Sequence, residues 1–118
     1  MTAYNAPLKD MQFVLNDVLQ ISKYSNLPGF ADASEDVVAA SLEEGAKMAS
    51  NVLHPINHSG DKEGCTRHAD GSVTTPKGFK EAYEIYKQGG WQGLSFDPEF
   101  GGQGLPYTLA VAVSEMVS

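Results

Sequence analysis

The sequence predicts an all-α fold, a helical bundle of about four main helices with a long loop and a glycine-rich connector. Three observations carry that expectation. Apolar residues recur at three- and four-residue steps in four segments, the period of a helix with one buried face. Prolines, glycines and capping side chains stand at the ends of those segments. Residues 89–106, Gly-Gly-Trp-Gln-Gly-Leu-Ser-Phe-Asp-Pro-Glu-Phe-Gly-Gly-Gln-Gly-Leu-Pro, hold six glycines and two prolines together with Trp91, Phe96 and Phe100. No regular element can run through such a stretch. Its large apolar side chains call for burial, so it reads as a packed connector rather than a flexible tether.

The first helix starts at Pro7, which suits the first helical position, with Asp10 placing negative charge in the first turn. Leu8, Met11, Leu15, Val18 and Ile21 form its stripe, Val14 widens it, and Ser25 to Gly29 end it. For the second helix, Asp32 with Glu35 reads as a capping box and Ser34 is an equally good single cap. Its stripe runs Val38, Leu42, Ala46, Ala49, Val52, Leu53 and Ile56, with Pro55 expected to kink or end it. Gly45 costs about 1 kcal/mol relative to alanine in mid-helix, which suggests another helix packed close at that point. Residues 57–75 show no sustained period and read as a long loop in which Asp70-Gly71 can close a hairpin turn. Thr75 as cap and Pro76 at the first position open a third helix, whose Phe79, Ala82, Tyr83 and Tyr86 make the cleanest stripe in the chain. Gly89-Gly90 stops it in the left-handed manner. Pro106 opens a fourth helix carrying Leu109, Ala110, Val113, Met116 and Val117, and the stripe still runs at Ser118 with no cap, so the helix is expected to continue beyond that residue.

Length and composition bound the function. A chain of 118 residues is one domain, able to bury roughly two-thirds of its unfolded surface. With 42% hydrophobic and 19% charged residues it has no block marking disorder. Fifteen acidic residues against eight scattered basic ones give a net charge of -7, which sets nucleic-acid binding aside. A lone cysteine, Cys65, fits a reducing compartment. The N-terminus lacks the regions of a signal peptide, and the longest apolar run, Leu109 to Val113, is too short to span a bilayer. A soluble cytoplasmic protein is the expectation, with neither nucleic acid nor membrane as partner.

The glycine-rich stretch does not match a phosphate cradle. Gly102-Gln103-Gly104 begins a dinucleotide pattern, but Tyr107 takes the third glycine's place and a helical segment precedes it; no Gly-Lys pair makes a P-loop. What it does resemble is a family signature. Gly90-Trp91-x-Gly93-Leu94, followed by Pro98-Glu99-Phe100-Gly101-Gly102-x-Gly104-Leu105-Pro106, is similar to the end of the N-terminal helical domain of acyl-CoA dehydrogenases. Asp10-Met11-x-Phe13-Val14-Leu15 and Asn57-x-x-Gly60-Asp61-x-Glu63-Gly64 resemble most the branch of 3-methylmercaptopropionyl-CoA dehydrogenases and related long enzymes. The resemblance covers the whole chain. Asp97 before Pro98, and Ser41 at an apolar place of the helical period, depart from the pattern without changing the family.

That resemblance implies residues 1–30 as an N-terminal extension helix against the bundle and 31–118 as the helical domain, cut within its last helix. It implies an FAD-dependent parent enzyme that removes an α-proton from an acyl-CoA with a glutamate base while FAD takes the β-hydride. Both flavin segment and base belong to middle and C-terminal domains outside this chain, so the resemblance assigns no catalytic, cofactor-binding or metal residue here. The fragment is expected to be inactive and without bound FAD. Acyl-CoA, an electron acceptor, the missing domains and further copies of the enzyme are the implied partners. Two other readings stand beside it: a complete small helical module that binds a protein partner through its apolar face, and a same-fold flavoenzyme of different chemistry, such as a nitroalkane oxidase or flavin monooxygenase.

Other residue patterns invite sharper readings. His54, His58, Cys65 and His68 have zinc-ligand types, but Pro55 and Gly60 sit among them, and a polar helix end followed by a loop is the favoured explanation. Glu43-Glu44, Asp61 to Glu63, and Glu81 with Glu84 fall on solvated faces, with Glu81 near Lys77 and Lys80 for ordinary pairing. Glu99 is expected to accept backbone N–H bonds within its turn or at the next helix, and Trp91 and Phe96 to anchor the loop in the core. No Gly-x-Ser-x-Gly elbow supports a nucleophile.

Overall fold

Met11 and Leu15 stand four residues apart and are both buried, which places the first helical segment on the core. In the computed structural model, which describes residues 3–118, this segment is α1 (Leu8–Phe13) continued by a π-turn over Val14–Val18. Helix formation begins one residue later than expected, with Pro7 as the flanking residue. The Leu19 N–H donates to the Val14 carbonyl at 2.8 Å, an i→i+5 bond. The wider turn breaks the α period. Val14 and Val18, expected in the buried stripe, are exposed. Gln20 then adopts a left-handed conformation (φ 52°), and a short 3₁₀ turn over Ile21–Tyr24 returns Ile21 to the core.

Helix α2 (Glu35–Met48) is capped by Ser34, whose hydroxyl accepts the Val37 N–H at 3.2 Å, so the single cap and not the Asp32 box is used. Val38 and Leu42 point into the core and are essentially inaccessible. Pro55 does not end the helical path. A π-turn over Ala49–Leu53 precedes it and α3 (His54–Glu63) carries it on. Pro55 has no N–H to donate and its ring crowds the preceding turn; widening that turn just before it removes the conflict. The irregular stretch accordingly starts only at Gly64 (φ 67°).

The centre of that stretch is a small hairpin. Strands β1 (Thr66–Arg67) and β2 (Val73–Thr74) pair antiparallel with Thr66 opposite Thr74 and Arg67 opposite Val73, and Gly71 takes φ 87° in the turn, as Asp70-Gly71 implied. Asp70 accepts from both the Ser72 hydroxyl (2.7 Å) and the Ser72 N–H (2.9 Å), bonds that hold its carboxyl below the usual range. Thr75 is not a cap. Pro76, Lys77 and Gly78 form a turn, with Gly78 left-handed (φ 89°), before α4 (Phe79–Gln88). Lys77 donates its N–H to the Glu63 carboxylate at 3.1 Å, tying this turn to the end of α3. The ion pairs on α2 and α4 are Glu44–Lys47 (2.6 Å) and Glu84–Lys87 (2.8 Å) rather than one through Glu81. All four side chains are well exposed, and such pairs contribute little.

The last helix, α5 (Tyr107–Val117), packs Leu109, Val113 and Met116 inward, and Leu109 meets Val38 and Leu42 of α2 in the core. Met11, Leu15 and Ile21 belong to the same cluster. Gly45 lies where α5 and the connector approach: a methyl group there would stand 3.4 Å from the Met116 sulfur and 3.6 Å from the Trp91 ring. Those are ordinary van der Waals distances, so the site has room for it. Gly45→Ala is expected to raise unfolding free energy by about 0.5–1 kcal/mol through helix propensity alone, read from urea denaturation midpoints at unchanged slope.

Candidate functional site

The connector between α4 and α5 is built by its own backbone. Gly90 (φ 72°) stops α4 and Gln103 reaches back to its carbonyl at 3.2 Å. A 3₁₀ turn over Trp91–Gly93 and another over Pro98–Phe100 form its two bends. Its arms are stitched side by side: Gln103 N–H donates to the Gly93 carbonyl (2.9 Å), Leu105 N–H to Leu94 (2.9 Å) and Gly104 N–H to Phe96 (2.9 Å). Gly101 N–H donates to Pro98 (3.0 Å) and Gly102 N–H to Asp97 (3.1 Å). Every amide from Gly101 to Leu105 is thus committed to a carbonyl within the loop. None is left to cradle a phosphate, which in a nucleotide loop is what such amides do.

Side-chain placement departs from expectation in two respects. Asp97, not Glu99, supplies the carboxylate acceptor: its Oδ1 takes the Glu99 N–H at 2.8 Å while the Glu99 side chain lies in solvent. Phe96 and Phe100 are 60% and 82% exposed, so they do not anchor the loop in the core of this chain. The inward residues are Gly93, Leu94 and Pro106, with Trp91 half-buried. Of the remaining signature residues, Leu105 packs on the core cluster, Gly101 (φ 84°) and Gly104 (φ 64°) supply left-handed backbone, and Pro98 lies against Gly104. Gly102 is required by close approach, since a Cβ there would run into the Phe96 backbone.

An open groove of about 490 Å³ lies between α3, α4 and the end of α5. Phe79, Tyr83 and Tyr86 of α4 face Leu53 and Ile56, and Tyr4 closes one end. The Tyr4 ring stands 6.3 Å from that of His54. The stripe on α4 therefore lines a groove instead of closing a core: Ala82 is buried, but Phe79 is 37% and Tyr83 61% exposed. A second, smaller groove of about 330 Å³ runs between α1 and α5. Its sequence signal is the unbroken apolar run Leu109 to Val113 of α5, which puts Val111 and Ala112 on this groove as well as Leu109 and Val113 in the core.

The residues with metal-ligand chemistry are dispersed. His54 and His58 lie on α3, Cys65 is exposed just after it, and His68 shares a 2.6 Å hydrogen bond with the Thr74 hydroxyl across the hairpin. Among the described residues no group of three or more His, Cys, Asp or Glu is placed to hold a metal ion. Glu43, Glu44, Asp61, Glu63, Glu81 and Glu84 are all exposed. No described helix is long and apolar enough to cross a membrane.

Comparison with known proteins agrees with this all-helical architecture. The chain is 34% identical over 115 residues to the 3-methylmercaptopropionyl-CoA dehydrogenase of Ruegeria pomeroyi, a match covering 98% of this chain and 19% of that protein. It is 25% identical over 118 residues to the broad-specificity linear acyl-CoA dehydrogenase FadE5 of Mycobacterium tuberculosis, covering 99% of this chain and again 19% of the relative. No protein-family model matches. The chain spans about a fifth of the length of these relatives, and it is to their N-terminal fifth that it is similar.

The geometry separates the connector's glycines by mechanism. Gly102→Ala, which forces a methyl into the Phe96 backbone, is expected to cost about 2–3 kcal/mol. Gly101→Ala, strained in φ but facing open space, should cost only about 1 kcal/mol. Equal losses in denaturant titrations of the two variants would show that the stitched arms are not the constraint.

Proposed function

We propose that this chain is the N-terminal helical domain of an FAD-dependent acyl-CoA dehydrogenase, with residues 1–30 as an extension and residues 31–118 as the domain proper. The observation that carries the reading is the match of nearly the whole chain to a fifth of two acyl-CoA dehydrogenases. The signature from Trp91 to Pro106 supports it, because its hydrogen bonds make it a rigid connector rather than a ligand loop.

The surface supports it as well. The accessible area is 7957 Å², whereas a closed monomer of this mass exposes about 6,200 Å². The excess, roughly 1,700 Å², is about twice what one partner contributes to a standard interface. The radius of gyration, 16.7 Å, likewise exceeds the about 13.5 Å of a compact domain of this length. In this reading the aromatic groove of α3, α4 and α5 is the face that meets the remainder of the polypeptide. There the chain's own residues contribute apolar contact and orientation. FAD, when bound in such an enzyme, accepts the substrate β-hydride; the amides of Gly101 to Leu105 are engaged within the loop and offer no phosphate cradle, and in this reading the base and the flavin site belong to the remainder.

The test is the whole reading frame that contains this chain, produced and purified. A yellow protein whose flavin absorbance is bleached by a saturated acyl-CoA is the expected outcome; a protein without flavin, or one that acyl-CoA leaves unbleached, would refute the assignment. The chain by itself should self-associate at micromolar concentration through its uncovered aromatic groove, and Tyr83→Lys should reduce that. A monodisperse wild-type monomer by analytical ultracentrifugation would count against the exposed-interface account.

A further inference from the structure

Asp70-Gly71 is the one Asp-Gly pair in the sequence, and no Asn-Gly pair occurs. An aspartate followed by glycine lets the next backbone nitrogen reach the side-chain carboxyl carbon, because no β-carbon on the following residue shields the approach. At Gly71 the space is open: an added methyl would meet nothing within 4 Å. Asp70, Gly71 and Ser72 are all exposed, so water reaches the pair. The hairpin that carries it has strands of only two residues each, and a two-stranded hairpin is marginal by itself.

The folded turn nevertheless engages both reacting groups. The Gly71 N–H donates to the His68 carbonyl at 3.0 Å, which opposes loss of its proton. Asp70 Oδ1 accepts the Ser72 hydroxyl at 2.7 Å and the Ser72 N–H at 2.9 Å. Both bonds favour the ionised carboxylate, the hydroxyl more than the amide. An ionised carboxylate resists attack, since its oxygen leaves only once protonated. The same turn is closed by the His68 N–H on the Ser72 carbonyl at 2.8 Å, and the base of the excursion by the Lys77 N–H on Glu63 at 3.1 Å.

We propose that Asp70-Gly71 is a site of spontaneous backbone isomerisation, restrained in the folded protein by Ser72, which holds the Asp70 carboxylate. In the step, the Gly71 nitrogen bonds to Asp70 Cγ, and its proton leaves as water with one carboxyl oxygen that solvent has protonated. Water then opens the cyclic imide at either carbonyl. Breaking the bond from nitrogen to Cγ restores aspartate; breaking the bond from nitrogen to the Asp70 main-chain carbonyl carbon leaves an isoaspartyl link. No oxidant, reductant or other reactant is consumed. The isoaspartyl link runs the main chain through Cβ and Cγ and so adds a carbon to the turn. Its carboxylate sits on Cα, away from Ser72, and the pairing of Thr66 with Thr74 and Arg67 with Val73 loses the turn that sets its register. The site stands on the hairpin's geometry, whether or not the whole protein is a flavoenzyme.

The test is to age the whole reading frame at neutral pH in water enriched in heavy oxygen and then digest it with trypsin in ordinary water. Cleavage after Arg67 and Lys77 releases residues 68–77 as one peptide, and each passage through the imide exchanges one carboxyl oxygen for solvent oxygen, which mass spectrometry reads. A free peptide of the same residues should take up the label at least about tenfold faster than the folded protein. Ser72→Ala should take it up several-fold faster than wild type, Ser72→Thr, which keeps the hydroxyl, at the wild-type rate, and Asp70→Glu hardly at all. The proposal is overturned if folded protein and free peptide label alike, or if Ser72→Ala labels no faster than wild type. It is also overturned if Ser72→Thr labels as fast as Ser72→Ala, which would deny the hydroxyl its role, or if Asp70→Glu labels like wild type, which would place the exchange elsewhere in the peptide.

Discussion

The position of α5 depends on a set of short backbone hydrogen bonds between the two arms of the connector. Gly93, Leu94 and Phe96 on one arm accept from Gln103, Leu105 and Gly104 on the other. This pairing is possible only where Gly102 brings the second arm against the Phe96 backbone. The arms end at Leu105 and Pro106, so the same bonds that close the loop set where Tyr107 begins the helix and bring Leu109 onto Val38 and Leu42. Burial of these aliphatic side chains gives the non-directional part of the stabilisation, of order 1.5–3 kcal/mol for each. The connector determines the direction in which α5 leaves.

Around that anchor the chain is left open. Its principal extents are 54 × 37 × 17 Å, a slab whose core is formed by α1, α2 and α5 while α4 presents Phe79 and Tyr83 to an open groove. Phe96, Phe100 and Tyr107 are more exposed than aromatic residues usually are in a finished domain. An uncovered face of this composition is characteristic of one layer of a larger assembly. The match to a fifth of two longer enzymes gives that feature an explanation.

Much of this was legible in the residues. The stripes of α2 and α5, the Asp70-Gly71 turn and the helix stop at Gly89-Gly90 follow from periodicity and backbone preference, which are local. What was not legible is where the local rules conflict with their surroundings. Pro55 reads as a kink or an end of the helix, and no residue type marks in advance the π-turn that lets the helical path continue through it. The stripe on the first helix was right for Met11, Leu15 and Ile21 and wrong for Val18, which lies within a π-turn, and for the widening at Val14. Thr75-Pro76 reads as a helix start, but the left-handed Gly78, pressed 3.0 Å from Ile56 as measured to an added methyl, delays the helix to Phe79. Phe96 reads as a core residue because large aromatics usually are, and a pattern cannot tell the inside of a chain from the inside of a larger protein. Asp97 takes the bonding role expected of Glu99, because its shorter side chain ahead of Pro98 reaches the Glu99 N–H.

Thiol labelling of a Tyr83→Cys variant tests most directly whether the rest of a longer polypeptide covers the α4 face. It is made with Cys65→Ser so that the exposed native thiol does not react. The variant is prepared both as this chain, under dilute conditions, and within the whole reading frame. Fast labelling in the chain and protection in the longer protein is the predicted result. Equal labelling in both would mean that nothing covers the groove, and the assignment of this face to an interdomain contact would fail.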